Sequence, residues 1–247
     1  MVKQFLRPRW ILTTLLVLAG VAVLARLGIW QLDRLAQRRV FNARVNAVIN
    51  LPRLDLTADP KAAGLFDMEY RSVMVEGEFD PTQQVLLRNQ AWQDQPGFHL
   101  LTPLKIKGST VAVLVDRGWI PVDQADASGL AQFAQPGLLQ VVGVIRRPQT
   151  RPDFGGVPDP TLLPGQTGLA AWNIINLERI QHQVDLPLLP VYIQQSPDPA
   201  ATGLPHPGAP VLDLTEGPHF GYALQWFTFA IILAVGYPFF VRKQLLK

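Results

Sequence analysis

His219-Phe220-Gly221-Tyr222-Ala223-Leu224-Gln225-Trp226-Phe227 opens an apolar run that continues almost uninterrupted to Val241. With a rise of about 1.5 Å per residue, a helix of that length crosses the roughly 30 Å hydrocarbon core of a bilayer. The run therefore reads as a membrane span. Its entrance is unusual, because His219, Tyr222 and Trp226 fall at i, i+3 and i+7 and place an imidazole, a phenol and an indole along one helical stripe.

A second apolar run lies near the start of the chain. It extends without charge from Trp10 to Ala25, then passes through Arg26 into Leu27-Gly28-Ile29-Trp30. Lys3, Arg7 and Arg9 precede it as they would a signal peptide. Its apolar core is longer than the usual signal, and no small-x-small cleavage site follows, so it reads as an uncleaved span. From Trp30 to Asn50, Leu32, Leu35, Phe41, Val45 and Val48 recur near helical spacing with arginines between them. The same helix is expected to continue out of the membrane and to stop before Pro52 and Asp59-Pro60. Two spans put both termini on one side. Arg242, Lys243 and Lys247 make the tail basic, whereas Ser196 to His219 holds no Lys or Arg, which makes that side cytoplasmic.

Composition agrees with this plan. Of 247 residues 48% are hydrophobic, and the excess lies at the two ends. The net charge of +3 is small and sits largely beside the membrane, so no nucleic-acid partner is expected. The chain has no cysteine, which excludes disulfides, a Cys-x-x-Cys redox site, a thiolate copper site and covalent haem attachment. Between the spans the pattern turns to strands. Val73, Val75 and Phe79 share one side of Tyr70 to Phe79, and further runs cover Gln84 to Asn89, Phe98 to Ile106, Thr110 to Ile120, Leu138 to Arg146 and Leu189 to Gln195. A helix is expected between Val122 and Gln135, and a short one near Ile180 with Asn176 as N-cap. The expected fold is membrane α plus β, with two transmembrane helices flanking one mainly antiparallel β domain, closed as a small barrel or left as a curled sheet. The division is 1–9 cytoplasmic, 10–30 first span, 31–50 helical extension, 51–195 extracytoplasmic β domain, 196–218 Pro/Gly-rich tether, 219–241 second span and 242–247 cytoplasmic tail.

Few residues offer chemistry. His99, His182, His206 and His219 lack zinc-enzyme spacing, and no nucleophile elbow, phosphate loop or dinucleotide fingerprint occurs. His219 has two readings. In one it is an interfacial histidine, with Tyr222 and Trp226 in the aromatic belt. In the other it is a neutral imidazole ligating haem iron, with the aromatic stripe against the macrocycle and Gln225 offering a hydrogen bond. Arg26, Trp30 and Arg34 share a stripe at i, i+4 and i+8. Its guanidiniums either snorkel to the membrane surface or face porphyrin propionates. In Arg117-Gly118-Trp119, Trp119 reads as a core residue and Gly118 as a bulge or close approach. The functional alternative turns Arg117 and Trp119 toward a partner protein.

Several motifs together resemble one family. Leu27-Gly28-Ile29-Trp30-Gln31-Leu32-Asp33-Arg34, Tyr70-Arg71 with Val75-Glu76-Gly77-Glu78-Phe79-Asp80, and Val115-Asp116-Arg117-Gly118-Trp119-Ile120-Pro121 look like the surfeit locus protein one family. So do Val142-Gly143-Val144-Ile145-Arg146 and the closing His219, Tyr222, Ala223 and Trp226. The resemblance implies a non-enzymatic assembly factor of cytochrome c oxidase in a bacterial cell membrane, helping haem a into subunit I. It implies transient haem a, with His219 as iron ligand, Tyr222, Gln225 and Trp226 lining the pocket, and Arg26 or Arg34 beside Trp30 toward the propionates. Oxidase subunit I, haem a synthase and the lipid bilayer are the implied partners. Just upstream, Gly217-Pro218 stands where a polar residue such as Asn is expected, so one hydrogen bond to the imidazole is expected to be missing. Two rivals remain open: a cofactor-free membrane scaffold for oxidase subunits, and a tethered hydrolase with a dispersed triad.

Overall fold

The computed structural model describes residues 8–60, 63–166, 168–200 and 203–245. Residues 1–7, with Lys3 and Arg7 of the expected cytoplasmic N-terminus, and residues 246–247, with the tail's Lys247, lie outside the described residues. The chain divides into two compact units, Met1–Arg44 with Asp213–Lys247, and Val45–Leu212.

The first unit is built from two helices. Helix α1 (Pro8–Ile49) runs unbroken through the first apolar segment and the arginine-rich extension that follows it. Both segments carry helical spacing, and no proline interrupts them. The last helix spans His219–Leu245 and contains Pro238; it is α4 below. Both are long and apolar enough to cross a membrane. Large side chains such as Leu12, Leu15, Leu16, Ile231 and Ile232 are exposed, as befits helices whose outer surface meets lipid. The two helices run antiparallel, since Gln31 meets His219 and Thr14 meets Tyr237. Thr14 Oγ1 donates to Trp10 O at 2.7 Å, so the Tyr237 hydroxyl donates to Thr14 Oγ1, also at 2.7 Å. These two polar clasps are separated by about 25 Å of helix, at about 1.5 Å per residue. That spacing is close to the thickness of a hydrocarbon core. Between them Gly28 lets the helices close: a Cβ there would stand 2.7 Å from Cε1 and Cζ of Phe227.

The second unit is a small barrel. Strands β1 (Leu54–Asp55), β2 (Ser72–Phe79), β3 (Val85–Trp92), β4 (Gln95–Ile106), β5 (Ala112–Pro121), β6 (Leu139–Arg146), β7 (Ala171–Trp172) and β8 (Leu188–Gln195) form one sheet. Its order is β1-β2-β6-β8-β5-β4-β3-β7, and an additional β2–β4 pairing closes β2, β6, β8, β5 and β4 into a ring. Closure removes the free edges of those strands. The period-two residues Val73 and Val75 are fully buried and pack with Leu104, Val115, Val141 and Ile193 in the interior. The mainly antiparallel expectation holds within the ring except at the parallel β5–β8 pair, and the short strands β1 and β7 add parallel pairs at its margins. β3 and β4 meet in a two-residue hairpin whose Gln93 and Asp94 both have left-handed φ, 49° and 61°. Such a turn matches the right-handed twist of the paired strands.

Between β5 and β6 the expected helix is reduced to one turn each at Val122–Gln124 and Ala127–Ala131 (α2), the latter capped by Asp126. Helix α3 (Leu177–Ile180) starts where expected, with Asn176 Oδ1 accepting the N–H of Arg179 at 3.1 Å. The expected tether 196–218 is fastened within both units. In the barrel unit, Ser196 N donates to Val142 O and the Gln194 amide donates to Gly208 O. In the helical unit, residues from Asp213 onward are fixed to the extension of α1, as described next.

Candidate functional site

His219 is the first residue of α4 and Pro218 caps it, its carbonyl accepting the Tyr222 N–H at 3.1 Å. The backbone arrives through Gly217 at φ 68°, a conformation that costs glycine little and other residues more. A Cβ at that position would lie 3.5 Å from His219 Nε2, so glycine leaves that edge of the ring open. The approach is held by a row of contacts along one face of α1. Asn42 Nδ2 donates to Leu214 O at 2.6 Å, Arg38 pairs with Asp213 at 2.9 Å, and Arg39 grips both Glu216 oxygens at 2.8 and 2.9 Å. The Arg39 bond holds the Glu216 carboxyl below its ordinary range. Bonds from Thr215 and the charge of Arg38 do the same for Asp213.

The central contact is His219 Nδ1 to Gln31 Oε1, 2.8 Å. With the amide oxygen accepting, Nδ1 carries the ring proton and Nε2 keeps its lone pair. A neutral imidazole oriented in this way can accept a proton or bind a metal ion through Nε2. The hydrogen bond expected to be missing upstream is supplied from the other helix. Sequence reading had Gln31 within a quoted motif but gave it no role. Its signal was the placement of an amide one residue beyond Trp30 at the mouth of a span.

The other candidates sort by helical position. Each residue turns a helix by about 100°. Gly28 meets Phe227 on one flank of the helix pair. By the same rotation Trp30 and Arg34 on α1, and Tyr222 on α4, fall on the opposite flank. Trp30 and Tyr222 are 42% and 48% exposed, and the Arg34 guanidinium lies 5.6 Å from the Trp30 ring. Trp226 is half-buried and meets Phe229 edge-on, and Gln225 is exposed further out. Arg26 is exposed one turn before Trp30, about 40° round the helix from it. The structure thus brings His219, Trp226, Tyr222, Trp30 and Arg34 to one end of the pair, with Arg26 one turn further along α1 toward the membrane segment.

His219, the rings of Trp30, Tyr222 and Trp226 and the guanidinium of Arg34 are the donor types a haem would take: an imidazole for iron, apolar rings for the macrocycle and a cation for a propionate. Among the described residues, no group of three His, Asp or Glu could hold a metal ion by itself.

Arg117 and Trp119 are both buried in the barrel unit, at 3% and 4% exposure. β5 carries an extra residue against β4 around them, since His99 pairs with Trp119 and Leu101 with Asp116. Gly118 takes φ 112° in this bulge and packs against the His206 carbonyl, where any Cβ would collide. Trp119 exchanges both backbone hydrogen bonds with His206 and lies beside Trp92, so its ring is core, not contact surface. Asp116 fixes the bulge, with Oδ1 accepting Gly118 N–H at 3.0 Å and Oδ2 bonded to His99 Nδ1 at 2.9 Å. Sequence reading missed this His–Asp pair, which the fold assembles across neighbouring strands. No Ser or Thr hydroxyl is hydrogen-bonded to the pair among the described residues, so it serves as a staple and does not complete a triad.

Two membrane-length helices clasped through a histidine, joined to a small closed barrel, define a membrane-anchored barrel protein with a candidate ligand site at the mouth of its helix pair. The model of the SURF1 family matches residues 18–231, and the chain belongs to that family. It is 27% identical to an uncharacterized SURF1-like protein of Mycobacterium tuberculosis over 97% of this chain and 86% of that one. It is 26% identical to a SURF1-like protein of Rickettsia conorii over 94% and 92%, and 26% identical to Surfeit locus protein 1 of Xenopus tropicalis over 61% and 53%. Membership implies a role in cytochrome oxidase assembly.

Proposed function

We propose that this chain is a non-catalytic assembly factor that carries haem a for cytochrome c oxidase and assists its insertion into subunit I. One observation carries the reading: Gln31 Oε1 stands 2.8 Å from His219 Nδ1, a pairing that, with the amide oxygen accepting, leaves Nε2 as the free lone pair. His219 would hold the iron through Nε2, Trp30, Tyr222 and Trp226 would cover the ring faces, and Arg34 would meet a propionate. The bound haem supplies the redox centre that the oxidase needs. This chain's task is to orient it, shield it from water and release it. One protein ligand whose orientation depends on a neutral amide suits a carrier that must let go. Arg38, Arg39 and Asn42 act as positioning residues, because they fix the backbone that delivers His219 to Gln31. The barrel would meet nascent subunit I or haem a synthase on the outer face of a bacterial cell membrane, with both termini in the cytoplasm. Arg242 and Lys243 at the end of the second span support that sidedness.

The alternative is a cofactor-free scaffold. Its supporting observation is the exposure of Trp30 and Tyr222, which would then pack on a helix of the oxidase. To separate the two, wild type and His219→Ala are purified from cells that make haem a, and both haem and oxidase subunits are measured. Haem lost with His219 supports the carrier. Oxidase subunits retained by both proteins with haem on neither supports the scaffold.

A further inference from the structure

The barrel unit holds a cleft of about 560 Å³ that the proposed carrier role does not use. It opens between β6, the end of β8 and the 203–207 segment, and Arg117 lines it from within the core. Only 3% of Arg117 is exposed. Nη1 donates to Phe133 O at 2.8 Å and the guanidinium lies 4.6 Å from the Phe79 ring. No carboxylate lies within ion-pairing distance among the described residues, and none of the residues outside that description is acidic. A buried charge without a counter-charge is costly and is rarely kept without a use. Burial lowers the Arg117 pKa to about 10, and the group remains charged at neutral pH.

The rest of the lining narrows the ligand. A guanidinium fork matches a carboxylate or a phosphate. Asp198 also lines the cleft, and a second negative charge would be repelled by it. Gln140 and Gln195 offer neutral amides, while Phe79 and Val141 give an apolar wall. The volume falls in the range of small-ligand pockets. We propose that this cleft binds an organic monocarboxylate with an apolar body, its carboxylate on Arg117 and its body against Phe79 and Val141. The carboxylate is carried either by a free small acid or by an acidic side chain of a bound protein.

The test is calorimetric titration of the full-length chain in a neutral sugar-headgroup detergent at pH 7, with heats into micelles alone subtracted. The probes are 4-phenylbutyrate, its primary amide, inorganic phosphate, and an end-capped hexapeptide with one central Glu among apolar residues. The acid is expected to bind saturably, at least tenfold tighter than the amide and than phosphate. Arg117→Met is expected to abolish that difference. Because that variant alters the core, Gln135→Glu at the exposed rim, outside any strand, serves as a second one, and it is expected to weaken the acid at least tenfold without changing the thermal midpoint. A hexapeptide that outcompetes the free acid assigns the carboxylate to a protein partner, and the reverse order assigns it to a small acid. No saturable binding of the acid or the hexapeptide up to 10 mM (about the weakest binding of interest,), equal binding of acid and amide, or binding indifferent to both variants overturns the proposal.

Discussion

Gln31→Leu is the sharpest perturbation of the candidate site. Leucine keeps the size of the side chain and removes the one acceptor that holds Nδ1 of His219, 2.8 Å away. Partners of this kind tune a ligating histidine by roughly 10- to 100-fold in affinity, which is about 1.4 to 2.7 kcal/mol. A half-buried ring N–H left unpaired adds a cost of the same order to the free protein, about 1–3 kcal/mol. Two assays read this out. Nitrogen NMR of histidine-labelled protein without haem reports which ring nitrogen carries the proton. Absorbance titration with haem a reports affinity. Wild type is expected to show the Nδ1–H form at His219, Gln31→Leu a mixture of the two forms, and the variant's haem affinity to fall by 10- to 100-fold. Gln31→Glu, which keeps an acceptor and adds charge, is expected to hold the Nδ1–H form and bind at least as tightly as wild type. If wild-type His219 instead carries its proton on Nε2, the amide is donating, no lone pair faces outward, and the reasoning fails. It fails equally if Gln31→Leu changes neither tautomer nor affinity.

Other contacts give independent checks. Gly28→Val should push the helices apart, because even the first side-chain carbon would approach Phe227 to 2.7 Å. A loss of about 1–3 kcal/mol is expected in a helix-association assay on the full chain, with Phe227→Ala partly restoring it. Asp213 and Glu216 both have pKa values lowered in the folded state, so their contribution is complete above the ordinary carboxylate range and is lost as pH falls below it, through the lowered folded-state values. A spin label at Thr215 should therefore become more mobile only in acid. Asp213→Asn with Glu216→Gln should be mobile at all pH, and a wild-type label equally mobile at pH 7 and at pH 2, about two units below the ordinary range, would contradict the clamp. Asp116→Ala removes the acceptor for both Gly118 N–H and His99 and should lower barrel stability by about 2–4 kcal/mol in chemical denaturation. A change within about 0.5 kcal/mol would show that the bulge needs no staple.

What could be read in the chain depended on how local the cause was. The two apolar helices follow from length and composition. The strand at Val73, Val75 and Phe79 follows from alternation, and the start of α3 from an asparagine placed to cap it. Each is decided within a few residues. The β5–β8 pairing was not legible, because parallel neighbours require a long crossover and no local pattern marks which strands it joins. The short helix pieces after β5 fell below expectation because Gly129 and a capping aspartate confine them to single turns. At the site, His219, Tyr222 and Trp226 announced themselves by spacing on one helix. Gln31 did not, since its partner lies 188 residues away in sequence. The stripe containing Arg26 looked continuous in the sequence. On the folded helix the stripe turns by about 40° at each step, so Arg34 comes nearer the flank of Tyr222 than Arg26 does. Arg117 likewise was open to a partner-facing reading, and only barrel closure buries it.

The most direct measurement is the reduced absorbance spectrum of the full-length protein purified from haem a-producing cells, taken beside His219→Ala. A haem a spectrum near one equivalent in wild type, lost in the variant while the thermal midpoint is kept, is the predicted result. Wild type without haem, or a variant that keeps it, would contradict His219 as the ligand.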